Sequence, residues 1–377
     1  AHRRWVDREV SVPPPVLPNY ANGCLSGIIP ALCAPGGPRT VPAWMPATVG
    51  GAQRVVVLLL DGLGWNQLQD HKHCMPTLAG FEGSFITTVA PSTTATALTS
   101  LTTGLSPGEH GLLGYRIDMG DTVMNVLRWG DENGDLRRRY PPNLVQPCPP
   151  FLGSRVPVLS KGELEGSGFT LAHLADVKHM GWRAASSIPV LVRQALDAGE
   201  DFVYAYYDGV DKIAHERGFG DFYDSELRAA DGIVADILSV LPSDTVLIVT
   251  ADHGQVHVGD RTIIPPREIV DLVDHQSGEG RFRWLHAKRG RAASLLEACS
   301  VYDDVAWVVS ADQVIDEKWF GPRMSDEVKR RLGDVALVAH QPVSFEEPLD
   351  GGAFPLVCRH GSLTADEMLV PLLAKRA

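Results

Sequence analysis

The chain has 377 residues, of which 44% are hydrophobic and 21% are charged, and its formal net charge is −12. This length supports one large domain or two unequal ones. The acidic balance disfavours binding to duplex nucleic acid or to an anionic membrane, because both carry negative charge themselves. The sequence shows no apolar run of 18 residues and no apolar segment typical of a secretory signal, so we expect a cytoplasmic protein without a membrane span. Six cysteines without CxxC spacing favour reduced thiols.

Continuous apolar runs predict the strands of a parallel sheet. They occur in "RVVVLLLDGLGW" (54–65), "DFVYAYYDGVD" (201–211) and "DTVLIVTADHG" (244–254). A run without alternation is typical of a strand that is buried on both faces. Helical patterns over 183–198 and 222–241 separate these runs. Alternating strands and helices predict an α/β fold with a mainly parallel sheet.

Composition and pattern also predict how the chain is divided. Residues 1–50 are rich in Pro, Gly and Ala and predict an irregular arm on the surface. We predict that residues 51–261 and 346–377 form the catalytic core. Between them, residues 262–345 contain shorter strand-like and helical segments, which predict a small inserted α/β domain.

Each of the three predicted strands ends at an acidic residue. Asp61 follows the first strand, Asp208 and Asp211 follow the second, and Asp252 follows the third. Ligands of open parallel sheets bind at the carboxyl ends of the strands, so we expect these carboxylates to converge. A single Asp at such a position often only caps the next helix, and helix capping is the alternative role for Asp208.

Histidines accompany two of these strand ends. Asp211 and His215 are four residues apart in "DKIAH", a spacing that puts both on one face of a helix, where they can bind one metal ion. His253 directly follows Asp252, and a loop would allow both to face the same site. His360, in "CRHGSL", is a further candidate ligand.

The stretch "APSTTATALTSLTTGLSPGEHG" (90–111) predicts a helix that begins near Ser92 and runs to Thr103, where Gly104 ends it. Thr94 then lies in the first turn, where unpaired N–H groups and the helix dipole favour anions. A threonine at a helix start usually serves as a cap. A hydroxyl beside a metal site is also a candidate nucleophile.

The motifs "LLLDGLG", "PSTTATALTSLTTGLSPGEHG", "DGVDKIAHERG", "VTADHGQ" and the distal "HG" occur in an order that resembles the alkaline phosphatase superfamily, and within it the type I phosphodiesterase/nucleotide pyrophosphatase family. The resemblance covers roughly 54–260 and 355–375 and leaves the arm and the insertion outside. It implies a doubly wound α/β core with helices on both faces of the sheet.

The resemblance also implies a site with two divalent ions and a threonine nucleophile. Thr94 is the implied nucleophile and forms a phosphothreonine intermediate, with Thr93 and Thr96 as alternatives. Oxygen and nitrogen ligands without thiolates suit Zn²⁺ or Mn²⁺, and two such ions can stabilise the entering and leaving oxygens of an in-line displacement. The implied ligands of one ion are Asp61, Thr94, Asp252 and His253, and those of the other are Asp211, His215 and His360.

The resemblance implies a small phosphoester substrate and favours a nucleotide, and cyclic di-AMP is the most specific candidate. Nucleotide pyrophosphatases of this family have an Asn three residues after the nucleophile, and this chain has Ala97 there, which leaves the substrate open. Tyr115, Arg116 and Trp129 follow the nucleophile helix and are candidate substrate contacts, since an aromatic ring can stack on a base. Ordinary packing is the alternative for them.

Other functions are compatible with the same motifs. A phosphomonoesterase and a phosphonoacetate-hydrolase-like enzyme belong to the same superfamily, and a metal-stabilised binding protein would use the ligands without turnover. The sequence leaves open the physiological metal, the oligomeric state and the role of the insertion.

Overall fold

A computed structural model describes residues 12–33, 41–346 and 355–377 of the chain. Parts of the predicted arm (1–11 and 34–40) and of the predicted core (347–354) therefore lie outside the described residues.

The strands of the described residues range from two to eight residues in length. In chain order they are β1 (Arg54–Leu60), β2 (Glu82–Thr87), β3 (Arg116–Asp118), β4 (Val123–Asn125), β5 (Gly130–Asp131), β6 (Gly134–Asp135), β7 (Pro157–Lys161), β8 (Lys178–Trp182), β9 (Phe202–Tyr207), β10 (Thr245–Thr250), β11 (Val256–His257), β12 (Thr262–Ile263), β13 (Val273–Glu279), β14 (Phe282–Ala287), β15 (Ala306–Ser310), β16 (Val335–Ala339), β17 (Ser344–Phe345), β18 (Cys358–Arg359) and β19 (Leu369–Arg376).

The helices are mostly short, and one of them reaches 20 residues. They are α1 (Ile28–Cys33), α2 (Trp65–Asp70), α3 (Thr94–Thr103), α4 (Pro107–His110), α5 (Pro142–Val145), α6 (Gly168–His173), α7 (Ile188–Asp197), α8 (Gly209–Arg217), α9 (Asp221–Val240), α10 (Arg267–Val270), α11 (Ala292–Cys299), α12 (Ala311–Asp316), α13 (Asp326–Lys329) and α14 (Ala365–Met368).

A seven-stranded sheet with the order β2-β19-β10-β1-β9-β7-β8 forms the centre of the fold. Strands β10, β1, β9, β7 and β8 run parallel to one another, and β19 is antiparallel to both of its neighbours. The predicted mainly parallel α/β sheet is therefore confirmed. Strand β1 is buried from Val55 to Leu60 because the sheet is covered on both faces, as its continuous apolar run indicated.

The segment 262–345 forms a sheet of its own, with four antiparallel strands in the order β13-β14-β16-β15. Parallel pairing of β12 with β17 brings the two ends of the segment together. Leu285 and Leu337 belong to its separate small core, whereas Phe282 and Trp284 on β14 pack into the main core. The insertion therefore packs closely on the rest of the molecule.

The N-terminal region differs from the predicted surface arm. Leu25, Ile28, Ile29 and Leu32 are buried in the main hydrophobic core, and helix α1 carries three of them. The frequent Pro and Gly residues around this stretch conceal a short helix whose apolar face completes the core.

Two further observations concern the described residues. None of their helices has the length and apolar character needed to cross a bilayer. None of the six cysteines, all of which are described, takes part in a disulfide.

Candidate active site at the carboxyl edge of the sheet

The three carboxylates predicted to converge lie at the ends of neighbouring strands. Strand β1 lies between β9 and β10, so the chain leaves the sheet at Asp61, at the turn before Asp211 and at Asp252 along one edge. Asp61 and Asp252 are buried, and Asp211 lies in the first turn of α8. This edge is where ligands bind in open parallel sheets.

Gly62 allows the three carboxylates to approach one another. Its backbone N–H donates to Asp252 Oδ1 at 3.0 Å, and its φ of 76° lies in the left-handed region. A Cβ atom at this position would lie 2.9 Å from the Cα of Asp211. Glycine is therefore required at the turn after β1 by both its backbone conformation and the close packing.

Asp208 does not act as the helix cap that was considered for it. It occupies the N-cap position of α8, but its side chain makes no capping hydrogen bond. The carboxylate instead accepts from the ammonium groups of Lys161, at 2.9 Å, and Lys212, at 2.6 Å. Two cations therefore compensate this carboxylate without a metal ion.

Helix α3 brings Thr94 to the same edge. The helix runs from Thr94 to Thr103, and Gly104 ends it with a φ of 74°, as the sequence predicted. Ser92, just before the helix, forms an antiparallel bridge with Gly361. This bridge fixes His360 beside the start of the helix.

The three predicted histidine ligands share one orientation. The Nδ1 atom of His215 lies 2.7 Å from the carbonyl oxygen of Cys358, and that of His360 lies 2.9 Å from the carbonyl oxygen of Ser92. The Nδ1 atom of His253 lies 3.0 Å from the carbonyl oxygen of Gly254. A carbonyl only accepts, so each Nδ1 carries the proton and each Nε2 presents a lone pair. Metal-binding histidines are commonly oriented in this way.

These lone pairs point at the carboxylates. His253 Nε2 lies 3.5 Å from Asp61 Oδ1 and 3.4 Å from Asp252 Oδ2. His215 Nε2 lies 3.2 Å from Asp211 Oδ1. Two overlapping groups have ligand atoms that lie close enough to hold a metal ion, and they share one carboxylate: Asp211, His215, His360 and Asp61, Asp211, His253.

The protonation equilibria indicate how crowded the negative charge is. Burial raises the pKa of the Asp61 carboxyl well above its ordinary value, and the charges of Asp252 and Asp211 raise it further. Burial likewise raises the pKa of Asp252. Burial also acts to raise the pKa of Asp211, but His215, His360 and His253 together outweigh it and the pKa is lowered. Adjacent buried carboxylates of this kind call for a positive partner.

Two oxygen atoms support a metal ion as that partner. Asp61 Oδ1 and Asp252 Oδ2 are buried and accept no hydrogen bond in the described structure. Buried polar atoms nearly always have a partner, and a bound metal ion would be such a partner for these two oxygens. The donor set of carboxylate oxygens and imidazole nitrogens fits a divalent cation.

Sequence reasoning missed two residues that orient these ligands. The Tyr206 hydroxyl donates to Asp61 Oδ2, and the Gln255 side-chain amide donates to Asp211 Oδ1 at 2.5 Å. Both residues lie inside motifs that were read for their Asp and His residues. Each donor is far in sequence from the ligand that it holds, 145 residues between Tyr206 and Asp61 and 44 between Gln255 and Asp211, so local spacing carried no signal for either.

Of the three candidate nucleophiles, Thr94 contacts a predicted ligand. Its Oγ1 lies 3.1 Å from His253 Nε2. Thr93 forms the N-cap of α3, and Thr96 is completely buried within the helix. The geometry therefore favours Thr94 over both alternatives.

Among the candidate substrate contacts, the prediction for Trp129 is wrong. Its ring is completely buried, and its indole N–H donates to the Tyr140 carbonyl at 2.8 Å. Helix α6 packs closely on the residue, since a Cβ atom at Gly168 would lie 2.2 Å from the Cβ of Trp129. Arg116 begins β3 and lines a surface cavity with Asn125. Tyr115 is half-buried, and substrate contact by these two residues stays a prediction.

A mainly parallel α/β sheet whose carboxyl edge gathers carboxylates, imidazoles and a helix-start hydroxyl defines a class of metal-dependent phosphoester hydrolase. Comparison with known families agrees. The family model "Type I phosphodiesterase / nucleotide pyrophosphatase" matches residues 55–170 and 170–362. The chain therefore belongs to this metal-dependent family of hydrolases. The match also runs through 262–345, so the expectation that the insertion lies outside the resemblance is wrong.

Solved structures share the fold at low sequence identity. Murine ectonucleotide pyrophosphatase/phosphodiesterase 5 is 16% identical, with a TM-score of 0.62, over 85% of this chain and 88% of that chain. The human enzyme of the same name is 15% identical, with a TM-score of 0.61, over 85% and 87% of the two chains. A structure of an inactive Thr-to-Ala variant of the murine enzyme in complex with AMP has a TM-score of 0.61.

A curated relative shares only a short stretch with this chain. GPI ethanolamine phosphate transferase 3 of Eremothecium gossypii is 28% identical over 90 residues. The match covers 24% of this chain and 8% of the relative's length.

Proposed function

We propose that the chain is a two-metal phosphodiesterase that hydrolyses phosphodiester or pyrophosphate bonds of nucleotides through a phosphothreonine on Thr94. The observation that carries this proposal is the convergence of the Thr94 hydroxyl with carboxylates and imidazole nitrogens at one sheet edge. The family assignment supports the reaction class. The murine relative's complex with AMP supports a nucleotide substrate.

Two ions, Zn²⁺ or Mn²⁺, would divide the ligands between them. Asp211, His215 and His360 would hold one ion, and Asp61, Thr94, Asp252 and His253 would hold the other. Asp211 also lies within reach of the second group, which supports two adjacent ions. When bound, two divalent ions supply positive charge that lowers the pKa of a hydroxyl and stabilises entering and leaving oxygens.

The residues of the chain then perform a double displacement. The Thr94 hydroxyl loses its proton to solvent and its Oγ1 forms a bond to phosphorus, while the bond from phosphorus to the leaving oxygen breaks and the first product departs, taking up a proton from solvent. A water molecule next attacks the phosphothreonine, and the bond from phosphorus to Oγ1 breaks as the hydroxyl regains its proton. The N-terminus of α3 favours the anionic phosphoryl group throughout, because its unpaired N–H groups and dipole are positive.

Within this proposal, cyclic di-AMP is the particular nucleotide that we expect as substrate, and the cytoplasm is the expected location of the protein. Ala97 is buried at the position where nucleotide pyrophosphatases have an Asn, so this chain lacks one polar contact to the phosphoryl group. We therefore expect the chain to differ from those enzymes in substrate preference. Turnover of a panel of cyclic and linear dinucleotides by metal-loaded enzyme tests this point.

Replacement of the nucleophile tests the reaction itself. Thr94→Ala is expected to reduce turnover of bis(p-nitrophenyl) phosphate by about 10³-fold or more, because removal of a nucleophile leaves only the remaining catalytic groups. Thr94→Ser keeps a hydroxyl and is expected to retain measurable turnover. Thr96→Ala is the matched control in the same helix. It leaves Thr94 unchanged, so residue 94 is still expected to be phosphorylated.

Acid-quenched enzyme is then examined by mass spectrometry for a phosphoryl group on residue 94. Full activity of Thr94→Ala, with metal content unchanged, would refute the nucleophile. A strong preference for p-nitrophenyl phosphate over the diester would instead favour the phosphomonoesterase.

A further inference from the structure

A second group of ligand-type side chains lies where the insertion meets the main part of the molecule. Asp118 ends β3 of the small sheet, whereas His275 and His286 come from β13 and β14 of the insertion. Strand β13 packs against β3. The group shares no residue with the site at the carboxyl edge, and the reaction proposed above does not use it.

The spacing of the three ligand atoms fits one metal ion. Asp118 Oδ2 lies 3.1 Å from His275 Nε2 and 3.4 Å from His286 Nδ1. Zinc bonds of about 2.0–2.1 Å in a tetrahedron set neighbouring ligand atoms about 3.3 Å apart. All three ligand atoms lie within 4.8 Å of one another.

Strand pairing explains how the two imidazoles come to share one site. His275 and His286 are opposite each other in the antiparallel pair β13–β14, so both side chains project from the same face. Their rings lie face to face, 17° from parallel, with centroids 4.0 Å apart. Because the lone pair of a ring nitrogen lies in the plane of its ring, one ring has to turn for both lone pairs to reach a single ion. Asp118 reaches both rings from the neighbouring sheet.

The other nitrogen of each ring is held by a second polar group. His275 Nδ1 lies 2.9 Å from Asp274 Oδ2, and His286 Nε2 lies 2.8 Å from the Ser277 hydroxyl oxygen. Metal-binding histidines usually have their outer nitrogen fixed by a carboxylate or another polar group, which aims the inner nitrogen at the ion. This arrangement is present on both rings.

Hydrogen bonds are the alternative to a metal ion for the same atoms. His275 has a carboxylate oxygen at each ring nitrogen, so as an imidazolium it would donate to both. A neutral His286 would then donate from Nδ1 to Asp118 and accept from the Ser277 hydroxyl. The two arrangements differ in whether the folded chain holds an ion at this place, and zinc content distinguishes them.

We propose that Asp118, His275 and His286 bind a zinc ion that fastens the insertion to the small sheet of the main core. Two nitrogens and one carboxylate oxygen form a typical zinc donor set that leaves a fourth position for water. Asp118 and His286 are buried, and the His275 side chain is 37% exposed, which leaves a path for the ion and its water.

Zinc content per chain tests the proposal. The full-length protein is saturated with Zn²⁺, desalted and measured by elemental mass spectrometry, with Asp118→Asn and His275→Gln as ligand variants. Both are expected to lose one zinc per chain relative to wild type. Ser277→Ala is expected to keep the ion but to bind it about 10–100-fold more weakly, because the outer partner of His286 is lost.

Asp131→Asn is the matched control, since Asp131 lies in the same small sheet and accepts from Thr122 instead. It is expected to retain the wild-type zinc content. If Asp118→Asn fails to fold, the half-exposed His275→Gln variant decides. Wild-type zinc content in His275→Gln, or an equal loss in Asp131→Asn, would overturn the proposal. This count does not depend on turnover, so it is separate from the test of the proposed function.

Discussion

Substitution of Gly62 by alanine tests whether the turn after β1 holds the carboxylates of the candidate site in place. The added Cβ would lie 2.9 Å from both Cα and Cβ of Asp211 and 3.0 Å from Gln255 Nε2. Carbon atoms in contact are normally about 3.5–4.0 Å apart, so the Asp211 backbone has to move by about 0.6–1 Å. The substitution therefore displaces a predicted metal ligand without removing any ligand atom.

The structure gives a magnitude for each effect. A left-handed conformation costs an alanine about 1–2 kcal/mol in stability. Misplacement of a catalytic group by about 1 Å can cost about 10²-fold in rate, or about 2.7 kcal/mol of barrier. We expect Gly62→Ala to lose about 10²-fold in kcat/KM for bis(p-nitrophenyl) phosphate and to unfold at slightly lower urea.

Gly51→Ala separates the two effects. Gly51 has a φ of 72°, nearly that of Gly62, but a Cβ there meets nothing within 4 Å. The control is expected to lose the same stability and to keep full turnover. If Gly62→Ala retains turnover within threefold of wild type while both variants lose similar stability, the packing argument is wrong.

Three further predictions concern residues that support the site and the fold. Tyr206→Phe removes the donor to Asp61 and is expected to weaken metal binding about 10–100-fold in metal-buffered assays of turnover. Burial lowers the pKa of the His110 imidazole from 6.5 to about 3. As the pH drops below 6.5 the unfolded chain therefore binds a proton at this residue while the folded chain does not, and the free energy of unfolding falls until the pH reaches about 3. At pH 5 the loss is about 2 kcal/mol, measurable by urea unfolding. Arg281→Met leaves the buried Glu367 carboxylate unpaired and is expected to cost about 3–5 kcal/mol in the free energy of unfolding.

Each of these has a control or a contrary outcome. Tyr207→Phe removes a hydroxyl that donates to Glu226, so its metal affinity is expected to match wild type. His110→Gln is expected to flatten the acid dependence between pH 6.5 and pH 4, and an unchanged slope would exclude His110 as its source. Equal stability of Arg281→Met and wild type would show that the buried pair contributes no net stability.

The sequence predicted the parts of the fold in which local pattern and tertiary environment agree. The apolar run before Asp61 predicted a strand buried on both faces, and β1 is that strand. The small residues from Thr94 to the glycine at position 104 predicted α3 correctly. Convergence of Asp61 and Asp252 followed from a general property of parallel sheets rather than from the spacing in sequence.

Where tertiary contacts override local pattern, the sequence was insufficient. Strand β13, "VDHQSGE", is rich in polar residues and was not predicted, because pairing with β14 rather than apolar character defines it. The group formed by Asp118, His275 and His286 spans 157 residues between its first two members and carries no motif. Trp129 was misread because its burial depends on a tertiary contact with Gly168 of α6, which is distant in sequence.

The histidines and the carboxylates of the candidate site differ in how well the fold prepares them for a metal ion. Backbone carbonyls of Ser92, Gly254 and Cys358, from three separate segments, fix the histidine rings before any ion binds. The buried carboxylates of Asp61 and Asp252, in contrast, resist ionisation, because burial raises the pKa of each and neighbouring carboxylates raise it further. A divalent cation bound among these carboxylates would favour their charged form. An ion that binds the folded chain and not the unfolded chain also stabilises the fold, so we expect metal loading to raise the free energy of unfolding.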